Sequence, residues 1–316
     1  MRLRYQFELI QLIRNFFTQQ GFLDVLTPPA VENPGMEVHI HPFQLHSVVN
    51  NKITQQYLHT SPEFCLKKLL ASPVEKIDKV FSLAYCFRDE PDSPIHRKQF
   101  IMLEWYRKHE RYEKIMSDVE KLIQNCLNSQ LPIKKDLLGQ KFIKKTMQDL
   151  FQETLQIDIL EYLDITSIKK LLKNYPDVPV PNVECEWDDY FFLLYLNKIE
   201  PEIAKIPMLM IYEFPAPLSA LSTLKTSDTR VCERFEVYIN GVELCNSFNE
   251  LTDLAEQKRR FEEQNKFKIK LYKYQLPEPT SFYNALEKGL PPSAGIALGV
   301  ERLLYSLCEI ENPFFD

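Results

Sequence analysis

Leu9, Ile10, Ile13, Phe16 and Phe17 recur at i, i+1, i+4, i+7 and i+8, which puts them on one face of a helix over residues 5–20; Gly21 supplies its C-terminal stop. The run FLDVLTPPAV that follows is short and extended, and Pro28 and Pro29 confine it to a sheet edge or terminus. A second helix is expected over 62–71, with Ser61 as N-cap and Pro62 as first helical residue. Residues 79–88 and 98–107 are β-prone and flank a polar, turn-rich loop, 89–97, so they predict a long antiparallel hairpin. Period two sends Phe100, Met102, Glu104 and Tyr106 to one face and Ile101, Leu103 and Trp105 to the other. The second face is plain core. The first carries a carboxylate between aromatics, which is costly to bury without a partner and so predicts the wall of a site.

Helix is expected again over 110–130 and, in parts, over the lysine-rich 134–175, whereas seven prolines between 176 and 218 predict an irregular stretch. RFEVYI, Asn240-Gly241 and VELCN predict a hairpin with a type I′ turn. A Lys/Glu-rich helix over 253–273 precedes SAGIALG, a strand leading into a helix with Arg302 in its first turn. Antiparallel hairpins with helices, rather than alternating βα units, predict an α+β fold.

The chain has 316 residues, enough for a substantial core in one large mixed domain or two smaller ones. Its net charge of -6 excludes a global basic field for nucleic acid or membrane surfaces. The seven glycines spell neither a Rossmann fingerprint nor a P-loop, so any nucleotide must be held another way. Seven cysteines, odd in number and never C-x-x-C, predict buried free thiols in a reducing compartment without zinc. No signal core or long apolar run is present, which predicts a cytoplasmic protein with no membrane partner. His39 and His41 in EVHIHPF would share a strand face, but two histidines without a third ligand make a poor metal site. The run 134–145 reads as a solvated charged face sooner than as a contact for RNA or protein.

Three segments, GFLDVLTPP (21–29), FRDE through FIMLEWYR (87–107) and AGIALGVERLLYSL (294–307), resemble the three motifs of a class II aminoacyl-tRNA synthetase catalytic domain of the lysyl type. More narrowly, YLHTSPEFCLKKLL, FIMLEWYR, RVCERFEVYINGVELCNSFNELTD and PPSAGIALGVERL resemble the elongation factor P lysine ligase family, truncated lysyl-tRNA synthetase paralogues that join (R)-β-lysine to a lysine of elongation factor P. The resemblance implies one catalytic domain over 1–316, with 130–205 as an insertion between the second and third motifs, no N-terminal anticodon-binding domain and a homodimer.

It also implies ATP and Mg²⁺. Arg88 would bind the α-phosphate and the substrate carboxylate, Arg302 would meet the γ-phosphate, and these two are the catalytic residues. Asp89, Glu90, His96 and Arg97 belong to the loop over ATP, Phe100 would stack on adenine, Leu244 and Gly299 would lie against the nucleotide, and Glu243 with Glu250 would hold the metal. Ser61, Pro62, Glu63, Glu104, Tyr106, Asn246, Glu250 and Ala297 would form the amino-acid pocket, three acids facing the two ammonium groups of lysine or β-lysine. Ala297 stands where lysyl-tRNA synthetases usually have glycine, which favours the ligase branch.

The chain departs from that pattern in two places. His96-Arg97-Lys98-Gln99-Phe100 replaces H-N-P-E-F, so Arg97 stands where the family has an ATP-contacting asparagine. Asn246-Ser247-Phe248 replaces N-G-F, and strict alternation would put Glu243 and Asn246 on opposite faces unless a bulge or strand end lies near Ser247. Two alternatives stay open at this point: a truncated lysyl-tRNA synthetase that charges tRNA, and a non-catalytic amino-acid-binding paralogue.

Overall fold

In this computed structural model, which describes residues 2–49, 52–183 and 185–315, the apolar stripe of the first helix becomes the first layer of the core. Helix α1 (Arg2–Gln19) buries Leu9, Ile13 and Phe17 completely. The Phe17 ring lies 5.0 Å from both Phe81 and Trp105, centroid to centroid. Each large side chain withdrawn in this way contributes about 1.5–3 kcal/mol. The chain divides into two compact units, Met1–Pro132 with Glu250–Asp316, and Ile133–Asn249.

The first unit continues through the short strands β1 (Leu23–Asp24) and β2 (Ala30–Val31), then β3 (Gln44–Ser47) and β4 (Lys52–Leu58). Helix α2 (Glu63–Leu70) follows, then the long pair β5 (Lys79–Phe87) and β6 (Gln99–Lys108), and helix α3 (Tyr112–Leu127). Strand β1 pairs in parallel with β5, and β5 pairs antiparallel with β6 from Lys79 opposite Arg107 to Phe87 opposite Gln99. The expected hairpin is therefore present, with residues 88–98 as its loop. A buried bidentate pair ties α3 to it: Arg107 donates from Nε and Nη2 to the two carboxylate oxygens of Asp118, at 2.6 and 2.9 Å.

The second unit holds β7 (Ile143–Thr146), α4 (Met147–Leu155), α5 (Ile165–Leu172), α6 (Trp187–Leu194), α7 (Glu200–Ile203), β8 (Met208–Pro215), β9 (Leu224–Lys225), β10 (Asp228–Ile239) and β11 (Val242–Asn249). Strand β7 runs parallel to β8, and β8, β10 and β11 are antiparallel neighbours, with β9 on β10. Residues 176–183 are irregular, as expected, but from Trp187 to Leu218 the chain is mostly regular. Trp187, Tyr190, Phe191 and Leu194 form a buried helical face, and β8 lies against β10. In that regular part prolines mark element ends, Pro201 opening α7 and Pro215 closing β8.

Back in the first unit, α8 (Leu254–Tyr272), α9 (Thr280–Glu287), β12 (Ser293–Gly299) and α10 (Val300–Leu307) complete the chain. Strand β12 pairs antiparallel with β6, so β1, β5, β6 and β12 form this unit's main sheet and β2, β4 and β3 a small second one. The α+β architecture is as the pattern predicts. Three local expectations need correction. Pro62 is the N-cap of α2 rather than its first residue, with Ser61 Oγ accepting the Glu63 amide at 3.4 Å. Residues 37–43 are not a strand; His39 and His41 bond separately, to the hydroxyls of Tyr272 and Tyr274. All seven cysteines are free, but Cys65 and Cys185 are only half-buried.

Candidate active site

The 88–98 loop is pinned at its base by the Arg88 amide donating to the Lys98 carbonyl at 2.9 Å, and by the Asp89 amide donating to the His41 carbonyl at 2.7 Å. The Arg88 guanidinium stands over the Phe100 ring, 5.2 Å from its centroid, so an arginine and an aromatic face are presented together at the head of the hairpin. The Arg88 Nε is buried and makes no hydrogen bond, leaving a donor for an incoming anion. Glu90 follows, its amide on the Arg88 carbonyl, while Asp89 forms an exposed ion pair with Lys98.

Arg302, in the first turn of α10, donates from Nη2 to His96 Nε2 at 2.5 Å. A guanidinium can only donate, so this nitrogen of His96 is the acceptor and the proton sits on Nδ1, which donates to Ser93 Oγ at 2.7 Å. Burial lowers the His96 pKa and the Arg302 charge lowers it further, in keeping with a neutral ring. Gly299 has no packing reason to be glycine: its φ is -77°, and the nearest atoms to a Cβ there would be those of the Arg302 side chain, at an ordinary 3.6 Å. Arg97 turns to its own loop, donating to the carbonyls of Ser93 and His96 at 2.5 and 2.9 Å.

Glu63, Glu104, Tyr106 and Glu250 come together as the sequence predicts, and among them stands a residue that the sequence pattern did not single out. Lys67, one turn into α2, is buried and donates to Glu63 Oε1 at 2.6 Å, and its Nζ lies 2.5 Å from Glu250 Oε2. Burial works against the Lys67 charge, but Glu250 and Glu63 hold its pKa above the ordinary lysine range. Burial also pushes Glu250 up to about 7 against the pull of Lys67. Glu104 is pushed well above the carboxylate range by burial and by Glu63, and it accepts the Tyr106 hydroxyl at 2.5 Å. Its second oxygen is buried with no hydrogen-bond partner. In the register of β12 on β6, Gly295 faces Tyr106 and Ala297 faces Glu104, so small residues stand beside the acids. Ser61 and Glu63 also line a cavity of about 320 Å³. The Glu-x-x-x-Lys spacing of 63 and 67, one helical turn, was the available signal for Lys67.

In the second unit, β10 and β11 settle the face of Glu243 and Asn246. Val237 opposes Cys245 but Tyr238 opposes Glu243, so Leu244 is the extra residue of a bulge. Asn246 opposes Glu236, two residues from Tyr238, and therefore shares a face with Glu243. The bulge exists, at Leu244 rather than near Ser247. Arg234 donates from Nε to Asn246 Oδ1 at 3.1 Å and pairs with Glu236, which also accepts the Tyr238 hydroxyl at 2.6 Å. This oxygen-rich face suits a hard cation held by one or two carboxylates with phosphate and water completing its shell. Among the described residues no three His, Cys, Asp or Glu side chains gather to hold a metal alone. At Glu250 the Lys67 ammonium already lies against the carboxylate.

The profile of the family described as tRNA synthetases class II (D, K and N) matches residues 1–312, and the chain belongs to that family. Within it, a protein of Hamiltonella defensa subsp. Acyrthosiphon pisum is 36% identical over 307 residues, 96% of this chain and 90% of the relative. One of Edwardsiella ictaluri is 37% identical over 94% of this chain and 87% of its own length, and one of Enterobacter sp. 36% identical over 92% and 86%. All three are named elongation factor P (R)-β-lysine ligase.

Proposed function

We propose that this protein is an ATP-dependent ligase that activates (R)-β-lysine, or lysine, as an aminoacyl-adenylate and transfers the acyl group to a lysine side chain of elongation factor P. The observation that carries this reading is the set Glu63, Glu104 and Glu250, the last two buried and Glu63 partly so, with the Lys67 ammonium between Glu63 and Glu250. With Lys67 neutralising one acid, two remain for the two ammonium groups of a lysine-like substrate. Burial favours the protonated form of Glu104, and an arriving ammonium would restore its carboxylate.

In the first step a substrate carboxylate oxygen attacks the α-phosphorus of ATP and pyrophosphate leaves. Arg88 neutralises charge on the α-phosphate and carboxylate and Arg302 on the γ-phosphate, so catalysis is positioning with charge stabilisation and no side chain becomes a nucleophile. Reaching the γ-phosphate requires Arg302 to exchange His96 for the nucleotide. When bound, Mg²⁺ supplies further charge neutralisation on the phosphates, and we assign its carboxylate to Glu243. In the second step the ε-amine of the acceptor lysine attacks the acyl carbon, AMP leaves, and the amine loses its proton to water.

The test is amino-acid-dependent pyrophosphate exchange with α- and β-lysine, followed by labelling of elongation factor P and of tRNA in separate reactions. Exchange with β-lysine and stable label on the protein are expected; label on tRNA alone would overturn the ligase reading. Arg88→Ala and Arg302→Ala should each lower exchange by at least about a hundredfold while the fold is retained.

A further inference from the structure

The C-terminal segment and the 88–98 loop meet at Phe314 and Arg97. After α10, the Glu309 amide donates to the Pro132 carbonyl at 2.9 Å, and the Phe314 amide donates to Asn312 Oδ1 at 2.9 Å. Phe314 is 3% exposed, and the Arg97 guanidinium lies 4.5 Å from the centroid of its ring. The same guanidinium donates to two carbonyls of the loop, Ser93 and His96. Those residues exchange backbone hydrogen bonds at 3.1 and 3.3 Å, and the His96 ring receives Arg302.

From this we infer that Arg97 and Phe314 form a staple that seats the loop for ATP, so that Arg97 is a positioning residue and Phe314 its anchor. A planar cation with five donors suits this role, since its face takes the ring while its edge takes the carbonyls. The Ser93 and His96 carbonyls already accept each other's amides, and without the second donor that Arg97 gives each of them the turn that aims His96 at Arg302 would be one conformation among several. The staple selects it. At this position the resemblance leads one to expect asparagine; here arginine meets the Phe314 ring.

The inference rests on the ATP reading above, and two readouts separate them. Arg97→Ala, Phe314→Ala, the double variant and Phe314→Tyr are compared by calorimetric titration with Mg-ATP and by amide hydrogen exchange of residues 93–97 in the nucleotide-free protein. Each alanine variant should bind ATP about five- to tenfold more weakly, between the worth of an exposed and of a desolvated cation–π contact. The double variant should be no weaker than the worse single one, Phe314→Tyr should retain wild-type affinity, and loop exchange should be faster in all three alanine variants. The staple is overturned if Phe314→Ala leaves ATP affinity and loop exchange unchanged, or if the two losses multiply, as they would were Arg97 a direct ATP ligand. Faster loop exchange in both single variants, with wild-type protein failing to bind ATP, would remove the ATP reading and leave the staple standing.

Discussion

Gly295 lies directly across from Tyr106 in the pairing of β12 with β6, and a Cβ added to it would stand 2.1 Å from Cε1 of the tyrosine ring and 2.7 Å from Glu250 Oε1. The tyrosine ring thus occupies space that only glycine leaves empty, and the ring in turn holds its hydroxyl on Glu104. Gly295→Ala must push the ring aside and break that bond. The expected outcome is a KM for the amino acid raised at least tenfold with the KM for ATP little changed, and a stability loss of about 1–3 kcal/mol from overpacking. Pyrophosphate exchange at varied amino-acid and ATP concentrations checks it. Equal changes in the two constants would show that Tyr106 does not belong to the amino-acid pocket.

Much of this site was legible because its residues sit on regular elements. The alternation of β6 carried Glu104 and Tyr106 to one face, and the small residues of SAGIALG marked the strand beside them. What escaped was set by contacts without local periodicity. Lys67 lies on a helix whose solvent-seeking residues ordinarily face out, and only tertiary packing shows that it points inward. The bulge at Leu244 leaves no signature in a run that reads as plain strand. Within 176–218 the expectation of irregular chain holds for 176–183 and fails from Trp187 on, where proline delimits elements, as at Pro201 and Pro215.

Lys67→Met would leave Glu63 and Glu250 facing each other with no cation between them. Removing one partner from a buried ion pair costs on the order of 3–5 kcal/mol, because the other charge stays uncompensated. Stability by urea denaturation should fall by that order. Adding Glu250→Gln should recover part of the loss, since the remaining mismatch is smaller. If Lys67→Met alone were as stable as the wild type, Lys67 would not be neutralising these acids.

Ala297 faces Glu104 on the neighbouring strand, so its methyl would border the proposed amino-acid pocket. Ala297→Gly removes that volume, and one methyl group in a pocket is worth about 1–3 kcal/mol in discrimination. The ratio of kcat/KM for α-lysine to that for β-lysine should rise by roughly tenfold or more. A ratio that does not move would remove Ala297 from the set of selectivity residues.

Glu301, at the start of α10, is buried and accepts the Ile101 amide with both carboxylate oxygens at 3.0 Å, and burial raises its pKa from 4.5 to about 7. A carboxyl raised in the folded state binds protons more tightly there than in the unfolded chain. Stability is therefore unaffected while both states are protonated, falls as pH rises from 4.5 to about 7, and stays at the lower level above that. Glu301→Gln keeps an acceptor for the amide and removes the titration. Relative to wild type, the variant should gain on the order of 2–3 kcal/mol between pH 5 and pH 8, as the ordinary cost per pKa unit requires. Comparing the two proteins at each pH cancels every other titrating group, so urea denaturation curves at those two values suffice. Parallel pH dependence would mean that Glu301 ionises in the folded protein as readily as in water.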